Sequence, residues 1–145
     1  MPVKTVQVKV KQDGGYRTEC TAGKHHVIID QPAAAGGTDG GPSPLEYQLM
    51  ALGGCIAAIG RLITNQRRLP VRGFDMEVRG TIDTDPLLGK PSSSRVGFSA
   101  IEVHVRVDAD LSPEEKKRFI EEVEARCPIS ENLQNTTPVK VVVDS

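Results

Sequence analysis

Two cysteines stand in local settings that suit thiol chemistry. Cys55 ends the run Pro42-Ser-Pro-Leu-Glu-Tyr-Gln-Leu-Met-Ala-Leu-Gly-Gly-Cys55, and Cys127 opens Cys127-Pro-Ile-Ser-Glu131. The thiolate, not the thiol, is the nucleophile, so each setting matters through what it does to ionisation. Cys127 directly precedes Pro128 and occupies the N-cap position of a short helix. There, unpaired backbone N–H groups and the positive end of the helix dipole favour a thiolate. Cys55 lies three residues after Leu52 and four before Ile59, so it faces protein. Apolar burial alone would leave it inert, and an activating cation is required; arginine suits such a place because it keeps its proton. A thiolate that attacks a peroxide becomes a sulfenic acid, and a second thiol can condense with it. The competing reading, that a buried cysteine on an apolar helix only packs, applies to both and describes Cys20, which alternates with Thr18 and Ala22 on a strand.

Other chemistries find little support. No Cys-x-x-Cys or His-x3-His spacing occurs, and His25 and His26 point to opposite faces of a strand, so neither a metal nor a cofactor is expected. The net charge of −1 favours neither nucleic acid nor an anionic membrane. The cluster Arg61, Arg67, Arg68 and Arg72 reads as a solvated face and helix end. Three cysteines, with no apolar leader in Met1–Val10 and no uninterrupted apolar run of about 20 residues, point to a cytoplasmic protein without a disulfide framework or membrane span.

The elements that must position these thiols follow from periodicity. At 145 residues the chain fits one domain, 1–145, and with no Trp and three Phe its core must be aliphatic. Residues 3–11 alternate as a strand, Asp13-Gly14-Gly15 marks a hairpin, and strands follow over 16–21 and 25–30. The 14 residues Gln31–Pro44 form a loop. Leu45, Leu49, Leu52, Ile56, Ile59 and Ile63 then recur at helical spacing, with Ser43, Pro44 and Glu46 as a capping box. Gly53, Ala57 and Gly60 form a second, narrow row on this helix, and the adjacent pair Gly53-Gly54 implies close approach by another backbone. Strands are predicted over 72–82 and 95–107. A helix opened by Ser112-Pro113-Glu114-Glu115, a short helix after Cys127 and a closing strand over 138–143 complete the chain. The order βββ–α–ββ–α–α–β is an α+β domain whose antiparallel sheet has about six strands around a long buried helix. One such sheet covers one face of that helix, and a symmetric partner is the commonest cover for the other.

The Cys55 run resembles the signature helix of the OsmC/Ohr family (osmotically inducible and organic hydroperoxide resistance proteins), and Cys127-Pro-Ile-Ser resembles its second cysteine site. The separation of 72 residues and the order of elements agree. The Leu-Gly-Gly-Cys form is closer to the general OsmC-like branch. The resemblance implies an intertwined homodimer and a thiol-dependent peroxidase using a small-molecule peroxide and a dithiol reductant. Cys55 would be the peroxidatic residue and Cys127 the resolving one, joined in a disulfide after turnover. It also implies an arginine from the first hairpin, matched by Arg17, and a glutamate near the helix start, for which Glu46 is the candidate although it stands one residue beyond the family position. Two alternatives accompany this reading. One is a non-catalytic dimer that binds a small apolar molecule or senses redox state; the other is a structural module.

Overall fold

The computed structural model describes residues 1–144 and divides into two compact units, Met1–Gln48 and Leu49 onward. In the first, β1 (Lys9–Gln12), β2 (Thr18–Ala22) and β3 (His25–Ile29) form an antiparallel meander. Its register sets Val10 opposite Cys20 and Cys20 opposite Val27, and Cys20 is buried. Gly14 and Gly15, with φ of 99° and 42°, turn the first hairpin in the left-handed region that glycine tolerates. The strand expected over 3–11 begins only at Lys9. Lys9 pairs with Thr21, β2 ends one residue later at Ala22, opposite Val8, and nothing on it lies opposite Val3 and Val6; all three valines are exposed.

The predicted 31–44 loop is built around one carboxylate. Asp30, 1% exposed, accepts hydrogen bonds from the Gln31, Thr38 and Gly40 amides and from the Thr38 hydroxyl. These bonds hold its pKa at about 2, below the ordinary 3.8; the Thr38 hydroxyl contributes most. Gly37 and Gly41 sit where a Cβ would meet the carbonyl oxygens of Gln31 and Ile28 at 2.0 and 2.2 Å, so the loop folds tightly on itself.

Helix α1 (Pro44–Arg67) starts where the capping box predicts: the Glu46 amide donates to Ser43 Oγ at 3.3 Å and the Ser43 amide to Glu46 Oε1 at 2.9 Å. By length and composition α1 is long and apolar enough to cross a bilayer, although no uninterrupted apolar run of that length occurs in the sequence. In the folded second unit, however, its stripe is a core face. Leu52, Ile56 and Ile63 pack with Val71, Val107, Ala109, Phe119, Val123 and Cys127.

The second unit continues with β4 (Val71–Thr81) and β5 (Ala100–Ala109), an antiparallel pair in which Phe74 faces Val107 and Val78 faces Val103. Helix α2 (Pro113–Ala125) has its Ser112–Glu115 capping box, and α3 (Pro128–Gln134) follows at once. Phe119 of α2 stacks on Phe74 with ring centroids 6.0 Å apart. The backbone expected to approach Gly53-Gly54 is not there: a Cβ on Gly54 would meet nothing within 4 Å, and the close neighbours of Gly53 and Gly60 are side chains. A Cβ on Gly60 would lie 2.5 Å from the Phe74 ring, and one on Gly53 would lie 3.3 Å from Val78. The arginine cluster is engaged rather than free: Arg61 donates to the Val71 and Arg72 carbonyls, Arg67 pairs with Glu122, and Arg72 pairs with Asp108 and Asp110.

Two expectations are corrected. The described residues form five strands in two sheets rather than about six in one, because 138–143 pairs with no strand of its own chain and Val139, Val141 and Val143 stay more than four-fifths exposed. The helix expected to be deeply buried is covered on one face only: Met50, Gly54 and Leu62 are exposed, and nothing lies within 4 Å of a Cβ placed on Gly54.

Candidate active site

Cys55 is held in the middle of α1, half-buried, with its sulfur side against the aliphatic core. Cys127 is the N-cap of α3 and is 1% exposed. Phe119 and Val123 of α2 pin this junction from the core side. From the outer side Arg126 donates two 3.2 Å hydrogen bonds to Gln66 of α1 and pairs with Glu122. Sequence reasoning missed this clamp, although the i,i+4 spacing of Glu122 and Arg126 was there to be read.

The fold brings the two thiols together. Cys55 and Cys127 are free cysteines of one apolar core, Cys127 buried within it and Cys55 packed against it. The ionisation expected of Cys127 is overturned. Its Sγ accepts the Ser130 N–H at 3.5 Å, as an N-cap should, but its pKa is raised. Burial is the largest cause and the neighbouring Cys55 thiol the next, and together they outweigh the Ser130 and Ile129 amides. A helix of seven residues offers too few donors to replace the water that the core removes.

Arg17 and Glu46 belong to the first unit. Arg17 follows the Gly14-Gly15 turn, is half-exposed and forms a 2.8 Å ion pair with Glu19. Its Nε lies 3.8 Å from where a Gly40 Cβ would sit, which places it beside the Asp30 loop. Glu46 is engaged as the capping-box carboxylate, and the Ser43 amide and hydroxyl lower its pKa. Among the described residues no group of three or more His, Cys, Asp or Glu could hold a metal ion.

The chain has relatives among known proteins. Over 104 residues, 72% of this chain and 70% of the relative, the sequence is 29% identical to the hydroperoxide reductase of Mycoplasma pneumoniae strain ATCC 29342 / M129. The fold is similar to that of an OsmC-like protein from Mycoplasma pneumoniae (TM-score 0.79, 23% identity, 92% of this chain and 89% of that one). It is also similar to an organic hydroperoxide resistance protein from Elizabethkingia anophelis (TM-score 0.70, 16% identity, 93% and 91%). These two likenesses establish the α+β OsmC-like fold. The OsmC-like protein family matches residues 37–142, a span that holds the capped helix, both thiols and the core between them. On that match the chain belongs to the OsmC-like family.

Proposed function

We propose that this protein is a thiol peroxidase that reduces organic hydroperoxides, and hydrogen peroxide as a second substrate, at the expense of a dithiol. The observation that carries the reading is the pair of free thiols Cys55 and Cys127 in one core, one partly open and one buried. The family match and the relative named hydroperoxide reductase support it. The Cys55 thiolate attacks the terminal peroxide oxygen and the O–O bond breaks. The leaving alkoxide takes a proton and departs as an alcohol, and Cys55 becomes a sulfenic acid. Cys127 condenses with it, forming the S–S bond and releasing water, and an external dithiol restores both thiols by exchange. Arg17 and Glu46 are the proposed charged members of the site, the protein acts as a homodimer, and the chemistry suits a reducing, cytoplasmic compartment.

Peroxide-dependent oxidation of a dithiol tests this reading. Cys55→Ser should abolish turnover. Cys127→Ser should leave a single turnover and a sulfenic acid that a dimedone probe captures. Arg17→Ala should slow the reaction at least tenfold, and an unchanged rate removes Arg17 from the site. If the unmodified protein consumes neither organic hydroperoxide nor hydrogen peroxide with any dithiol, the enzyme reading fails and a non-catalytic ligand-binding or redox-sensing role takes its place.

A further inference from the structure

Helices α2 and α3 are joined by only two residues, Arg126 and Cys127. The Arg126 amide donates to the Val123 carbonyl and the Cys127 amide to that of Glu124, both at 3.2 Å, so the corner is tightly turned. Cys127 cannot shift without carrying Arg126 and the start of α3 with it. On its inner side the corner is seated in the core that Cys127 shares with Val123, where Cys127 is 1% exposed. On its outer side it is tied to α1 by side chains. Both terminal nitrogens of Arg126 donate to Gln66 Oε1 at 3.2 Å, and the guanidinium lies 3.6 Å from Glu122, which also pairs with Arg67. Gln66 and Arg67 are neighbours on α1, so these four side chains close a ring that spans α1 and the end of α2. A planar guanidinium held by an amide oxygen and a carboxylate fixes direction as well as distance.

We propose that Arg126 is a positioning residue for Cys127: through Gln66 and Glu122 it holds the α2–α3 corner at the place on α1 from which Cys127 bonds to Cys55. The inference rests on the reading of Cys55 and Cys127 as a redox pair and adds to it the device that sets their balance. A disulfide needs its two Cα atoms within about 7 Å and its side chains aimed at each other, so a corner free to shift forms the bond less readily. The coupling is reciprocal. By whatever factor the ring favours the disulfide, the disulfide strengthens the ring. A ring that only adds stability would support the reduced and the oxidised protein equally and would leave the balance between them untouched.

The test equilibrates the full chain, in a Cys20→Ala background, with mixtures of reduced and oxidised dithiothreitol and counts the free thiols that remain. One protein thiolate attacks the reagent's disulfide, and the second displaces the reagent from the mixed disulfide. Two protein thiols are thereby oxidised and one reagent disulfide is reduced to the dithiol. Arg126→Met keeps the apolar stem and removes the charged fork. It should lower the constant for disulfide formation about tenfold, or about 30 mV in potential, the effect of losing hydrogen bonds made by a charged group. Gln66→Leu should do the same from the α1 side, and the double variant should add little, because both changes break one ring. Gln66→Glu keeps an acceptor for Arg126 and should stay at or above the parent. An unchanged constant in Arg126→Met and Gln66→Leu overturns the proposal, and so does a parent protein that forms no Cys55–Cys127 disulfide at any ratio. If Arg126→Met fails to fold, Gln66→Leu and Gln66→Glu decide alone. None of these readouts uses peroxide. A parent that consumes peroxide without forming the disulfide loses this proposal and keeps the peroxide chemistry, whereas one whose disulfide responds to the ring but which consumes no peroxide loses only the enzyme reading.

Discussion

Asp30 shows how much one side chain can organise. Four donors converge on its carboxylate, and an amide cannot accept from all of them. Asp30→Asn is therefore expected to loosen residues 31–42, seen as faster proteolysis there and faster exchange of the Gly40 amide; unchanged exchange would remove Asp30 from this role. The pH dependence has a definite sign. A carboxyl whose folded pKa lies near 2, against 3.8 ordinarily, adds stability that is complete above 3.8 and is lost as pH falls toward 2. Protection of Gly40 should accordingly persist at pH 5 and fall between pH 4 and 2. Thr64 is the opposite case, a buried hydroxyl with no hydrogen-bond partner among the described residues. Thr64→Val keeps the branched shape and should stabilise the fold by about 1 kcal/mol in thermal unfolding. Neither residue was legible in advance. Asp30 reads in sequence as an ordinary strand end, and its meaning depends on where Thr38 and Gly40 return. The cysteines were legible by position, but the ionisation of Cys127 was misread because depth of burial is a tertiary property that an N-cap motif does not carry.

Among the elements, those whose partners are local in sequence were read well and those needing distant partners less so. Both capping boxes formed as written, at Ser43–Glu46 and Ser112–Glu115, because each closes within four residues. Gly53-Gly54 suggested another backbone close by, but the tight contact on α1 is a side chain over Gly60. The Phe74 ring, stacked on Phe119, fills the space over Gly60, and no helix pattern could say which residue of β4 would arrive there. Gly60→Ala sets the roughly 1 kcal/mol gained in helix propensity against a 2.5 Å approach to a stacked ring. Overpacking of this kind costs about 1–3 kcal/mol, so the substitution should lower the denaturation midpoint despite the better helix former. A raised midpoint would mean that the ring moves freely.

At the scale of the whole molecule, the strand patterns that failed to pair lie at 3–8 and 138–143. Alternating valines make both segments good strands, but a strand is completed by a neighbour, and the described residues supply none for them. The face of α1 that carries Met50, Gly54 and Leu62 is likewise left uncovered. A second copy would answer both deficits at once, which is the physical content of the proposed homodimer. Gly54 isolates the question. Within one protomer a side chain there meets nothing, and leucine is a better helix former than glycine, so Gly54→Leu should leave helicity and protomer folding intact. In a dimer packed through this face the same leucine intrudes between the copies. Light scattering after size exclusion should therefore give twice 15.6 kDa for the unmodified chain and a shift toward 15.6 kDa for Gly54→Leu, with unchanged circular dichroism. An unmodified chain that runs as a monomer rejects the dimer, and a Gly54→Leu variant that remains fully dimeric moves the interface away from this face of α1.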